Sequence, residues 1–392
     1  MQKFKFLLLT ILIANLFGIC LAEDSLSNEP SCFENFPQKQ NMIAILNRHA
    51  RGFKIYISHD KKKRLIFTNT TNTKNKKTTV LAIGPNNWKE AKINCPLVAT
   101  LSSPQKVILM STSYIPPLEE LNELNSVAGI SNFNLINNPF FKEKNADNLE
   151  IGFPPNIEKI LKINPDLLFA YRTSTPDIDG LNAISRAGIK VVEVAEFLEK
   201  SPLARAEWLI FWGAIYGKLE LAQQRFLEIE RRYLELQALA NKQTKRPSVL
   251  IGNIQNSLWV APGLASDLAQ MIKDAGANYL LFDNTQASPA LFPSEKILTL
   301  PSTINFWLPQ NNWNSFAELS SESFYKILLA QKAPKIFNST KIVNRHGGND
   351  YYETALMRPD LLLADLIKIF HPKILSENTP LWFKELKDEH RK

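Results

Sequence analysis

Hydrophobic and polar positions alternate within residues 53–83, in Phe53-Lys54-Ile55-Tyr56-Ile57, in residues 64–68 and in residues 78–83. A period of two is the mark of strands with one buried face. Asp60 with its lysines, and the Asn/Thr/Lys tract over residues 69–79, read as turns between them. Beyond residue 100 the pattern changes. Short apolar runs (106–110, 126–130, 166–170, 190–194) alternate with amphipathic stretches over 117–124, 156–162 and 181–187. Strands separated by helices predict a mostly parallel sheet covered on both faces. Ser201-Pro202 then opens a helix, with serine as cap and proline in the first turn. An apolar helix over 203–216 stops at Gly217, and an amphipathic helix runs over 220–241. Alternation resumes with strands at 248–252 and 303–308, a helix over 266–275, and a last helix over 358–370. The fold class is α/β: two Rossmann-like lobes joined by a long rigid helix, with a small β-rich extension in front. The divisions are 1–22 (leader), 23–100 (extension), 101–200 (N-terminal lobe), 201–245 (connector) and 246–392 (C-terminal lobe).

The first residues bear on compartment. Lys3 and Lys5 precede an apolar run over 6–17, and Gly18, Cys20 and Ala22 supply small residues. This is the form of a secretory signal peptide cleaved after Ala22. Lipidation of Cys20 is the alternative, with Ile19 where a lipoprotein signal has Gly or Ala. A periplasmic location follows. Cleavage lowers the formal charge from +8 to +6. That excess is spread along the chain without a basic, aromatic-interleaved stripe, so no nucleic-acid partner is expected. Cys32 and Cys95 remain, a plausible disulfide in an oxidising compartment. Gly-x-Ser-x-Gly, the phosphate-binding Gly-Lys-Ser loop and His-Glu-x-x-His are absent, so no enzyme and no cofactor is expected; an exported enzyme outside transport is the remaining alternative, because fold does not fix function.

Several stretches resemble one family. Residues 155–170, Pro-Asn-Ile-Glu-Lys-Ile-Leu-Lys-Ile-Asn-Pro-Asp-Leu-Leu-Phe-Ala, resemble the signature of periplasmic binding proteins for ferric siderophores, haem and cobalamin. Ala187-Gly188-Ile189-Lys190-Val191 follows at the family's spacing. Residues 270–278 look like its first C-lobe helix, and residues 344–365, around Gly347-Gly348-Asn349-Asp350-Tyr351-Tyr352-Glu353, like its final loop and helix. The resemblance implies a substrate-binding protein of an ABC transporter, a monomer that takes chelated iron or a corrinoid in a cleft between lobes. It implies transport to an inner-membrane permease and its ATPase, and little hinge motion.

In open parallel sheets ligands meet the loops past the strand carboxyl ends. Those loops offer Thr112, Ser113 and Tyr114, then Phe133, then Tyr171 and Arg172, then Trp259, and last Asn349, Asp350, Tyr351 and Tyr352. Tyr171, Trp259 and Phe133 resemble the aromatic wall of cobalamin binders. Such rings also serve simply to plug lobe surfaces. Arg172 and Arg345 fit anionic ligand groups or plain surface ion pairs. Glu158 and Glu295 match, by resemblance, the glutamates that dock on permease arginines; helix N-terminal acidity alone also accounts for them. A free zinc or manganese ion is the alternative ligand, on His346, Asp350 and Glu353 with Tyr351 or Tyr352.

Overall fold

A computed structural model describes residues 42–70, 77–85, 97–171, 180–280, 289–301, 303–321 and 323–388. The expected leader over residues 1–22, with Cys20, and also Cys32, Cys95, Arg172 and His390, lie outside the described residues.

The extension is a five-stranded sheet in the order β1-β2-β3-β4-β5: Met42–Ile45, Phe53–Ser58, Arg64–Thr70, Lys77–Ile83 and Leu97–Leu101. Strands β2, β3 and β4 form the antiparallel meander that the alternation predicts, and β1, which the alternation did not mark, pairs antiparallel with β2. The fifth runs parallel to β4, which the apolar pattern did not reveal. One face, carrying Phe53, Ile55, Ile57, Ile66, Leu81 and Ile83, is not a surface of its own. It shares a continuous core with the N-terminal lobe and with the first connector helices.

The N-terminal lobe has the four-stranded parallel sheet β7-β6-β8-β9, from Val107–Leu109 (β6), Val127–Ile130 (β7), Leu167–Ala170 (β8) and Val191–Glu193 (β9). Its helices are α1 (Ile115–Glu120), α2 (Ala146–Leu149), α3 (Ile157–Ile163) and α4 (Leu181–Arg186). The connector is α5 (Pro202–Ala206), α6 (Trp208–Tyr216) and α7 (Leu219–Asn241). Ser201 caps α5 by accepting from the Ala204 amide at 3.2 Å, and Gly217, at φ 73°, ends α6 in the left-handed conformation that glycine takes without strain. The helix expected over 203–216 is divided at Glu207, whose carboxylate is drawn into the extension.

The C-terminal lobe contains Ser248–Ile251 (β10), Asn278–Leu280 (β13), Phe306–Leu308 (β15) and Lys335–Asn338 (β16), parallel in the order β13-β10-β15-β16. Lys384–Glu385 (β17) adds an antiparallel edge, so the tail beyond Pro372 completes this sheet. A three-stranded antiparallel sheet, β11-β12-β14, comprises Asn253–Gln255, Leu258–Ala261 and Ala290–Pro293. The helices are α8 (Asp267–Asp274), α9 (Glu295–Leu298), α10 (Phe316–Ser320), α11 (Ser323–Lys332), α12 (Asp350–Glu353) and α13 (Pro359–Phe370). Helix α7 serves both lobes: Phe226 and Ile229 lie in the N-terminal core, Tyr233 and Ala240 in the C-terminal one.

Buried carboxylates tie the parts together. Glu207, fully buried, accepts from the Arg48, His49 and Ala50 amides at 2.7, 2.7 and 2.6 Å. Glu199 accepts from Gly52 at 2.8 Å and from Trp208 Nε1 at 3.0 Å. Between the lobes Glu353, 1% exposed, accepts from the Asn137 and Asn138 amides at 2.7 and 2.9 Å. Asn344 Nδ2 donates to Asn134 O at 2.9 Å and to Ile136 O at 3.1 Å, and Asn137 Nδ2 to Gly348 O at 3.1 Å. At Gly348 any Cβ would stand 2.1 Å from Leu135 O, so this close approach requires glycine.

Two outcomes are expected. Glu207→Ala removes the acceptor of three amides, of which that of Ala50 is buried and those of Arg48 and His49 are partly so. A stranded buried donor costs about 1–3 kcal/mol, so denaturant unfolding is expected to show a loss of about 2 kcal/mol or more. Glu207→Gln, which keeps an acceptor oxygen, is expected to lose less. Burial pushes the Glu353 carboxyl up to about 7, opposed by the Asn137 and Asn138 amides, against an ordinary 4.5. The folded chain therefore holds this proton more tightly than the unfolded chain between those values. Stability from this group is greatest below pH 4.5 and falls as pH rises through 7. Unfolding from pH 5 to 8 is expected to show a shallower decline in Glu353→Gln than in the wild type; equal slopes would contradict the assignment.

Candidate ligand cleft

The order β7-β6-β8 puts a topological switch at the carboxyl end of β6, and β13-β10-β15 puts another at that of β10. Ligands of open parallel sheets sit at such points. Past β6, Ser111 accepts from the Ser113 amide at 3.3 Å and starts the 3-10 turn Thr112–Tyr114. Ser113 Oγ donates to Glu196 Oε1 at 3.3 Å. This turn packs against α12 of the other lobe, so the sequence-chosen groups Thr112–Tyr114 and Asn349–Tyr352 do come together.

Between them lies an ionic chain that spans the lobes. Arg205, on α5, stands 3.3 Å from Asp267 Oδ2 at the start of α8 and 3.8 Å from Glu196 Oε1 past β9. Burial raises the Glu196 carboxyl above its ordinary value, with Arg205 opposing it. The Tyr114 hydroxyl, Glu196 Oε2 and Arg205 Nε are all buried without a hydrogen-bond partner. Burial, and next the charge of Glu196, drive the Tyr114 phenol well up, so it stays protonated.

Several expected wall residues have other places. Trp259 is 0% exposed: it points inward from β12, donates Nε1 to Ile251 O at 3.0 Å and packs 5.9 Å from Trp307. The alternation of β12 turns Leu258 and Val260 outward instead. Trp259 is therefore core, not cleft wall. Tyr114, 1% exposed, packs on Trp212 at 5.6 Å, and Tyr351 is buried against Phe383 at 5.9 Å; neither ring is a wall surface. Asp350 is engaged within its own lobe, accepting from Trp382 Nε1 at 2.7 Å and Thr354 Oγ1 at 2.9 Å. Asn349 caps α12 by accepting from the Tyr351 amide at 3.0 Å. Phe133 is half-buried, 6.3 Å from Phe141, with its amide held by Glu150 at 2.6 Å.

Tyr171 and Tyr352 fit the aromatic-wall reading better. Tyr171 is half-buried at the end of β8, and Tyr352 is 45% exposed on α12. Sequence reasoning missed Phe197, 38% exposed past β9 and 6.2 Å edge-on to Tyr171. The same inspection of strand carboxyl ends, applied to residues 190–194, would have found it. Arg205 and Glu196 carried no such signal, because helix starts and strand ends are often charged.

His346, Asp350 and Glu353 do not assemble as a metal site. His346 Nε2 accepts from Arg345 Nε at 3.0 Å, while both carboxylates are bonded as described above. Among the described residues no group of three His, Cys, Asp or Glu is placed to hold a metal ion. Glu158 and Glu295 are exposed in the first turns of α3 and α9, and neither makes an ion pair among the described residues. No described helix is long and apolar enough to cross a membrane.

The whole chain resembles an uncharacterized lipoprotein of Methanocaldococcus jannaschii, 26% identical over 409 aligned positions that cover 93% of this chain and 92% of that one. Among solved structures it superposes on an ABC transporter substrate-binding protein from Listeria monocytogenes, 15% identical over 69% of this chain and 100% of that one, with a TM-score of 0.51. It also superposes on a Helicobacter pylori protein, CeuE, in a nickel–histidine complex: 14% identical, 79% and 90% covered, TM-score 0.51. At such identity these two likenesses concern fold alone. Residues 107–322 match the periplasmic binding protein family, and because that match spans more than half of the sequence, this chain belongs to the periplasmic binding protein family.

Proposed function

We propose that this chain is the extracytoplasmic receptor of an ABC importer, which captures a metal chelate between its lobes and delivers it to the permease and ATPase. The observation that carries the reading is the aromatic pair Tyr171–Phe197 at the carboxyl ends of β8 and β9, on the lobe whose Thr112–Tyr114 turn meets the helix bearing Tyr352. Flat rings with few polar groups suit a large, partly aromatic ligand such as a ferric siderophore, haem or a corrinoid. The polar contacts fall to Arg205, Glu196 and Thr112. Ligand binding leaves the covalent chemistry of the chelate unchanged, so the chain needs no nucleophile or general base. The exposed Glu158 and Glu295 supply one carboxylate per lobe for docking on basic permease pockets, where rim charges set on-rate and register.

Titration of the purified protein with cobalamin, haem, ferric siderophores, zinc and manganese, followed by intrinsic fluorescence, is expected to find one saturable chelate. Tyr171→Ala with Phe197→Ala is expected to weaken it at least tenfold, since each lost ring contact is worth about 0.5–1.5 kcal/mol beyond its buried area. Silence across the panel, or an unchanged Kd in the double variant, would remove the chelate reading. Glu158→Ala with Glu295→Ala is expected to leave that Kd unchanged while abolishing stimulation of the reconstituted transporter's ATPase.

A further inference from the structure

At the end of the C-terminal lobe opposite the cleft, the amino-terminal approaches to β10, β15 and β16 surround an open pocket of about 1140 Å³. The carboxyl ends of α7, α11 and α13 close it. Lys245, Arg246, Lys332, Lys335, Lys373 and His371 line it, and no aspartate or glutamate does. None of the five Lys and Arg residues is paired with a carboxylate among the described residues. Arg246 donates to Asn241 Oδ1 at 3.2 Å and Lys332 to Leu300 O at 2.7 Å, both neutral acceptors. The floor is apolar: Ile304, Phe306 and Phe370 lie there, each under a tenth exposed.

Cations gather at helix carboxyl ends because each end carries about half a negative charge. Three ends supply about −1.5, against five full positive charges. About +3.5 is left over, too much for helix neutralisation to explain. A concave site with surplus positive charge around an apolar base matches a ligand whose head is anionic and whose body is hydrophobic. We infer that this pocket binds a monomeric amphiphile with a phosphate or comparable multiply charged anionic head, the head among Arg246, Lys335 and Lys373 and the apolar part against Phe306 and Phe370. The site is separate from the cleft and does not depend on the chelate reading. With Glu158 and Glu295 at the starts of helices that follow strand carboxyl ends, a receptor docked through them presents this pocket away from the permease.

The test is calorimetric titration of the whole protein with dodecyl phosphate below its micellar concentration. Inorganic phosphate, neutral dodecyl maltoside, and vesicles of phosphatidylglycerol or phosphatidylcholine serve as separate arms. Saturable binding of dodecyl phosphate is expected, weakening as salt is raised, with inorganic phosphate and dodecyl maltoside each at least tenfold weaker. Lys335→Glu with Lys373→Glu, both exposed, is expected to weaken it at least tenfold with an unchanged circular dichroism spectrum, while Tyr171→Ala leaves it unaltered. The His371 ring resonances are expected to shift on binding. No binding of the monomer, binding to phosphatidylglycerol vesicles alone, equal affinity for the neutral detergent, or indifference to the double charge reversal would each overturn the inference.

Discussion

Everything in this molecule depends on one helix belonging to two cores. Over its 23 residues α7 places Phe226 and Ile229 in the N-terminal core, then Tyr233 and Ala240 in the C-terminal core. Tyr233 adds a 2.6 Å hydrogen bond to Asp274 Oδ2 on α8. A lobe cannot swing about such a connector without exposing large apolar side chains, each worth about 1.5–3 kcal/mol of burial. The lobes are therefore held near one angle, and the ligand site proposed at the strand carboxyl ends would be shaped before any ligand arrives. Preorganisation of this kind lowers the ordering cost of binding.

Where α7 cannot reach, carboxylates act as clamps for backbone amides. Glu207 and Glu199 hold residues 48–52 of the extension, Glu353 holds Asn137 and Asn138 across the lobes, and Asp365 holds Leu381 and Trp382 of the tail at 2.7 and 2.9 Å. A buried anion accepting from main-chain amides satisfies donors that would otherwise be stranded, and it fixes segments that share no regular secondary structure with the acid's own helix. The same chemistry costs desolvation, visible in Glu353 and in Asp365, which burial pushes up to about 6. Cations bridge the lobes as well: Arg205 joins Glu196 of one lobe to Asp267 of the other where the connector begins, and Arg358, 3.0 Å from Asp360 of α13, reaches Glu120 of α1 at 3.9 Å.

The alternation of Phe53–Ser58, the cap at Ser201, the stop at Gly217 and the βα order beyond residue 106 are local signals, and each was legible because side-chain period and capping act over a few residues. The clamps were not legible. Glu207 and Arg48 stand 159 residues apart, and nothing local marks a helical glutamate as the acceptor for a distant turn. The break between α5 and α6 and the role of the tail as β17 escaped for the same reason: both are set by tertiary partners.

The candidate site separates what a motif carries from what geometry adds. Position after a strand correctly brought the Thr112–Tyr114 turn to α12, but it said nothing about which way a ring points. On β12 the pleat sends Trp259 into the core. On the 3-10 turn past β6, Tyr114 stacks inward on Trp212. Past β8 and β9, the half-buried Tyr171 and the exposed Phe197 meet edge to face. Aromatic identity at a loop is thus weaker information than its exposure. A ring already satisfied by core packing gains little from a ligand, whereas an exposed ring pair gains the burial energy of both faces. On that ground the proposed recognition surface is Tyr171, Phe197 and Tyr352 rather than the largest rings of the sequence.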